Sequence, residues 1–150
     1  MIENYDSLIK EINRDFFLFR NGIVADNLKP LYPQDTRIFG LMAPQFMELA
    51  KKYPHDKELG LRLWDDGKTR EPRILALYLL PPDDIDLQLA KKLFSEIKSM
   101  EEAELLPFRI FRYLPFASTL YEELSKDEKL DDIKKYSLKM LKKNLDAISH

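Results

Sequence analysis

Cysteine is absent from the 150 residues, which removes disulfides, thiolate nucleophiles and thiolate-bound zinc together and fits a reducing compartment. Histidine occurs only as His55, beside Pro54, and as His150, with no carboxylate cluster at ligand spacing near either. No metal is expected, and Ser-His-Asp chemistry lacks its base. The four glycines, Gly22, Gly40, Gly60 and Gly67, are scattered and form no phosphate-cradling loop, so no cofactor is expected either. No stretch approaches the ~20 apolar residues of a membrane span. The opening Met1-Ile2-Glu3-Asn4-Tyr5-Asp6 has neither a basic nor an apolar leader region, so membrane insertion and secretion are not expected, and the cytoplasm is the simplest location. Neither charge sign dominates: 24 Lys+Arg stand against 26 Asp+Glu, a formal charge of -2. Nucleic-acid binding would therefore have to rest on a local basic face.

What is present describes a globular chain. Hydrophobic residues at 45% and charged residues at 33% fit a packed core under a well-solvated exterior. The length suits one domain, residues 1–150, burying roughly 70% of its unfolded surface. Proline clusters between apolar periodic segments, which favours an all-α chain of about eight helices joined by short turns and gives strands almost no support.

The periodicity predicts a first helix from about Asp6 to Phe19, with Leu8, Ile9, Ile12, Phe16 and Phe19 on one stripe and Gly22 ending it. Residues 23–39 lack helical periodicity and read as a long connection. A second helix opens at Ala43-Pro44 and runs to Tyr53; a third spans Asp56 to Trp64 and stops at Gly67. Trp64 reads as a core or hairpin-junction residue. Thr69 caps a fourth, whose run Ile74 to Leu80 is apolar nearly all round and should be the most buried. Asp84 caps a fifth to about Lys98; Ser99 to Glu102 has capping-box spacing and opens a sixth toward Leu114 and Pro115. Two more follow at about 117–125 and 130–148. At an offset of 35 residues Pro72 overlays Pro107, Leu75 overlays Ile110, Tyr78 overlays Tyr113 and Leu79 overlays Leu114. That period is near the period of helix-hairpin arrays, and it predicts stacked antiparallel helix pairs.

The text Ile38-Phe39-Gly40-Leu41 with Pro44, then Leu49-Ala50-Lys51, Leu63-Trp64-Asp65-Asp66-Gly67 and Glu71-Pro72-Arg73-Ile74-Leu75-Ala76, resembles the HEAT-like DNA alkylation repair glycosylases. The resemblance spans roughly residues 36–114 and is strongest over 59–80. It implies a HEAT-like α-α superhelix that binds duplex DNA on its concave face and releases N3- or N7-alkylated purines. In the family, an aromatic followed four residues later by aspartate flanks the developing sugar cation. Here Met100 stands in place of the aromatic and Glu104 in place of the aspartate. Later hairpins of the family, with an arginine and another aromatic, have no counterpart in this shorter chain. The expectation is a non-catalytic or diverged binding module; a minimal glycosylase using Glu104, or a protein-interaction scaffold, is the alternative.

Arg70, Arg73, Lys98, Arg109 and Arg112 are the candidate phosphate-contacting strip of such a face. The alternative is that the arginines pair with Glu71, Glu101 or Glu104 as salt bridges. The lysines of the last helix, Lys134, Lys135, Lys139, Lys142 and Lys143, flank an apolar stripe of Leu130, Ile133, Met140, Leu141, Leu145 and Ile148. They suit a solvated capping helix, or an anionic partner. Duplex DNA and a protein are the candidate partners, with no membrane.

Overall fold

The computed structural model describes residues 4–148. Met1, Ile2 and Glu3, on which the leader reading partly rests, and His150 lie outside the described residues. The described residues form nine α-helices and no strand; the one extended feature is an isolated bridge between Arg37 and Thr69. They fold as two compact units, one ending at Leu80 and the other beginning at Pro81.

The first unit holds α1 (Tyr5–Leu18), α2 (Gly22–Leu28), α3 (Ala43–Lys52), α4 (Lys57–Trp64) and α5 (Arg70–Leu79). In α1, Ile12 and Phe16 recur one turn apart and are fully buried. Gly22 does not end α1. It is the first residue of α2, because the Asn21 side chain caps that helix by accepting from the Ile23 and Val24 amides at 3.1 and 3.2 Å. The expected long connection over 23–39 therefore contains α2 and a 3-10 turn at Lys29–Leu31. Asp56 caps α4 by accepting from the Leu59 amide at 2.9 Å.

Every residue of α5 is buried, the apolar run from Ile74 as expected and the charged first turn of Arg70, Glu71 and Arg73 with it, and the helix packs against α3 and α4. Gly60 permits the α4 contact, since a Cβ there would stand 2.5 Å from Leu80 Cδ2. Thr69 precedes α5 as expected but its side chain does not cap the helix; Asp66 instead accepts from the Lys68 and Thr69 amides, at 2.9 Å each.

The second unit holds α6 (Leu87–Ser95), α7 (Met100–Arg109), α8 (Ala117–Ser125) and α9 (Asp132–Ile148). Asp86, not Asp84, caps α6, accepting from the Leu89 amide at 2.8 Å; Asp84 lies in the preceding 3-10 turn Pro82–Asp84. Ser99 caps α7 through the Glu102 amide at 3.1 Å, and the buried Glu102 carboxylate accepts from the Lys98 amide at 2.8 Å. Pro107 has no amide to reach back to the preceding turn, and α7 ends two residues later rather than at Leu114. α7 and α8 both pack on α9, whose Leu138 and Leu141 are buried. The 35-residue overlay is not matched by the backbone: Leu75, Tyr78 and Leu79 lie inside α5, whereas Ile110, Tyr113 and Leu114 follow α7 around the 3-10 turn Phe111–Tyr113.

Candidate functional site

Several residues that carry the family resemblance, Phe39, Gly40, Leu41, Trp64, Glu71 and Arg73, meet Arg70 in a polar junction of the first unit. Glu71, 0% exposed, accepts from the Phe39 amide through Oε1 at 2.9 Å and from the Gly40 amide through Oε2 at 3.0 Å. Arg70 Nη1 donates to Glu71 Oε2 at 2.7 Å and to the Leu41 carbonyl at 2.9 Å. A buried carboxylate is costly unless its oxygens find donors, and this one is ringed by two amides and a guanidinium. One turn on, Arg73 donates to the Trp64 carbonyl at 2.7 Å while its guanidinium lies 3.9 Å over the Trp64 ring. Trp64, 1% exposed, is a junction residue in agreement with its sequence context.

Gly40 completes this junction. Its φ of +98° is strained for any side chain, and a Cβ would collide with the Asn21 carbonyl oxygen and lie 2.9 Å from the Ala25 nitrogen. The Asn21 amide donates to the Phe39 carbonyl at 2.8 Å, so residues 39–41 are held between the start of α2 and the start of α5. Arg70 and Arg73, placed by the sequence on a phosphate-contacting strip, are 5% and 6% exposed, with donors engaged inside the unit. Their charge type suggests the surface; the Glu71 carboxylate and the Trp64 carbonyl draw them in.

A second polar cluster, which the sequence does not announce, ties α1 to the end of α3. The Tyr53 hydroxyl donates a short hydrogen bond to Asp15, and Lys52 Nζ reaches the same carboxylate at 2.9 Å and Glu11 at 3.6 Å. Burial, then the bond to Asp15 and its negative charge, raise the Tyr53 pKa far above the ordinary phenol value. The hydrogen bond to Asp15 also holds the Lys52 pKa above its usual range.

The other expected site residues belong to the second unit. Glu104 is exposed in the second turn of α7, beyond the acidic first turn of Glu101 and Glu102. Met100, 44% exposed, precedes it by four residues, and Phe108, also 44% exposed, follows it by four. The three side chains share one solvent-facing stripe, opposite the buried Ala103, Leu106 and Ile110. Arg112 is half-buried in the 3-10 turn beyond the end of α7, its guanidinium 4.1 Å over the Phe108 ring and 4.7 Å over the Tyr113 ring, with Nη2 donating to the Tyr113 hydroxyl at 2.6 Å. Lys98 is exposed just before α7, and Arg109 is half-buried at its end. Phe108 is a member of this stripe that sequence reasoning missed; its four-residue spacing after Met100 and Glu104, out of phase with the core positions, is the signal that could have found it.

On α9, Lys135, Lys139, Lys142 and Lys143 are exposed. Ile148, expected on the apolar stripe, is 55% exposed. Among the described residues, no group of three or more His, Asp or Glu is arranged to hold a metal ion, and no helix is long and apolar enough to cross a membrane.

No family model, curated protein or solved structure matches this chain.

Proposed function

We propose that the chain is a non-catalytic helical binding module, akin in its packing signature to the HEAT-like DNA alkylation repair glycosylases, that holds a protein partner on the exposed face of α7. One observation carries this reading. The signature residues are consumed in the interior, Glu71 with Phe39 and Gly40 and Arg73 with Trp64, while Met100, Glu104 and Phe108 stand together in solvent.

Magnitude supports the absence of catalysis by Glu104. A carboxylate in bulk water stabilises a cation 4 Å away by about 1 kcal/mol, whereas enzymatic rate enhancements need roughly 8 kcal/mol or more. A sheathing aromatic is also missing, since Met100 holds that place. The test is incubation of the purified chain with methylated duplex DNA. We expect no base release; robust release abolished by Glu104→Gln would overturn the reading.

A second reading is supported by the exposed row Lys135, Lys139, Lys142 and Lys143 on α9 together with Lys98: contact with a nucleic-acid backbone. That reading predicts duplex binding that weakens steeply with salt and with Lys139→Glu. A protein partner held by the α7 face predicts association that persists in salt and is lost with Phe108→Ala.

A further inference from the structure

We infer that the first unit carries a binding site for a small monocarboxylate with an aliphatic body, in a surface hollow between the corner joining α1 to α2 and the segment that precedes Gly40. The hollow has a volume of about 510 Å³ and is lined by Leu18, Arg20, Gly22, Ala25, Ile38 and Phe39. Small-molecule sites occupy roughly 300–1,000 Å³. Its walls are tied together, because the Asn21 amide donates to the Phe39 carbonyl at 2.8 Å and so holds Ile38 and Phe39 beside the start of α2. The site does not draw on the reading of α7.

The lining selects the ligand's chemistry. Leu18, Ala25, Ile38 and Phe39 offer apolar contacts, and Arg20 is the one ionisable side chain among the six. Arg20 Nη1 donates to the Phe17 carbonyl at 2.8 Å and its guanidinium lies 3.9 Å over the Phe17 ring; no carboxylate pairs with it among the described residues. The acid of α2, Asp26, pairs instead with Lys29 at 3.0 Å. A single guanidinium fork matches one carboxylate. The Phe39 ring is already engaged by Phe16, at 6.0 Å between centroids, and by the Arg37 guanidinium at 4.6 Å, which favours an aliphatic body over a stacking ring. Gly22 is a further observation. Gly40 and Gly60 are required by contacts that a Cβ would violate, but a Cβ on Gly22 would meet nothing within 4 Å, and its φ is not positive. Glycine at a helical position costs stability relative to alanine, and no packing contact offsets that cost here. What the missing side chain does is keep one wall of the hollow open.

Octanoate is the probe, titrated into the isotope-labelled full chain and followed by the amide signals in NMR. Saturable shifts are expected at Gly22, Ala25, Ile38 and Phe39, with a dissociation constant on the order of 1 mM. Arg20→Gln should weaken binding roughly tenfold, and Gly22→Leu, which adds a side chain to the wall, by at least as much. Octanol keeps the body without the charge; it should bind more weakly and be indifferent to Arg20→Gln. Circular dichroism melts check the folding of the variants, and Arg20 is exposed, so Arg20→Gln keeps the test decisive if Gly22→Leu does not fold. No saturable shift, shifts centred outside the hollow, or affinity unchanged by Arg20→Gln would overturn the inference. Association with phosphatidylserine vesicles, or with a second copy in sedimentation, by a chain that does not bind octanoate would give the exposed Phe17, Leu18 and Ile23 of this corner another occupant and equally overturn it.

Discussion

The start of α5 and the face of α7 use the same chemistry in opposite surroundings. Both combine a glutamate with an arginine that lies over an aromatic ring. At α5, Arg70 and Glu71 are 5% and 0% exposed and bind backbone of residues 39–41. At α7, Glu104 and Phe108 are exposed and Arg112 lies over aromatic rings. The difference is one of consequence. A buried charge is tied to stability because its loss leaves opposite charges and amides unpaired in a low dielectric, whereas an exposed charge is resolvated by water at little cost. The first region therefore specifies the fold, and the second is free to serve a partner.

The comparison breaks most readily at Glu71. Glu71→Gln keeps the shape but removes the charge that balances Arg70 and turns an amino group toward the Phe39 or Gly40 amide. Unfolding by denaturant should show a loss on the order of 3 kcal/mol. Gly40→Ala should cost about 2–3 kcal/mol, since φ of +98° is strained for alanine and the added Cβ would run into the Asn21 carbonyl oxygen. Near-wild-type stability in both variants would mean that the junction does not hold the fold.

Tyr53→Phe is a smaller perturbation with a pH signature. At neutral pH it removes one hydrogen bond to Asp15, a loss of about 1–2 kcal/mol. Because the folded state raises the Tyr53 pKa above its unfolded value of roughly 10, its contribution is fully present below that pH and is lost as pH rises beyond it. Lys52, also raised, acts with the same sign. Stability measured by denaturant across the alkaline range should fall above about pH 10 in the wild type. The fall should be shallower in Tyr53→Phe, with the residual slope owed to Lys52 and to Tyr5, whose pKa is also raised, by desolvation and by its hydrogen bond to Asp56.

How much of this could be read from the sequence follows from the range of the interactions. The helix ends near Tyr53 and Leu80, the helix start at Asp56, the Ser99 cap and the burial of α5 are local signals, and they agree with the structure. α2 is hidden because Gly22 serves equally as a stop or a start, and only the Asn21 side chain decides for a start. The placement of Arg70 is hidden for a different reason. The backbone groups that bind Glu71 and Arg70 lie 29 to 32 residues away, and no local pattern reports that the segment around Gly40 folds onto α5. The α7 stripe is half legible: Met100 and Glu104 are singled out by a resemblance alone, while Phe108 is masked by its ordinary look as a packing residue.

Glu104→Gln should have the smallest effect on stability and is for that reason the sharpest control on the comparison. The substitution is the one made at Glu71, with the same loss of charge and the same shape, on a helix of the same ten-residue length. Glu104 lies past the first turn of α7, where the helix dipole has largely decayed, and no cation of its own chain depends on it among the described residues. Unfolding should therefore shift by no more than about 0.5 kcal/mol. The contrast between roughly 3 kcal/mol at Glu71 and nearly nothing at Glu104 is then a measure of burial together with the pairing that a buried charge requires. A loss above about 1 kcal/mol at Glu104 would give α7 a structural duty and remove the physical basis for treating its charged stripe as a surface kept for a partner.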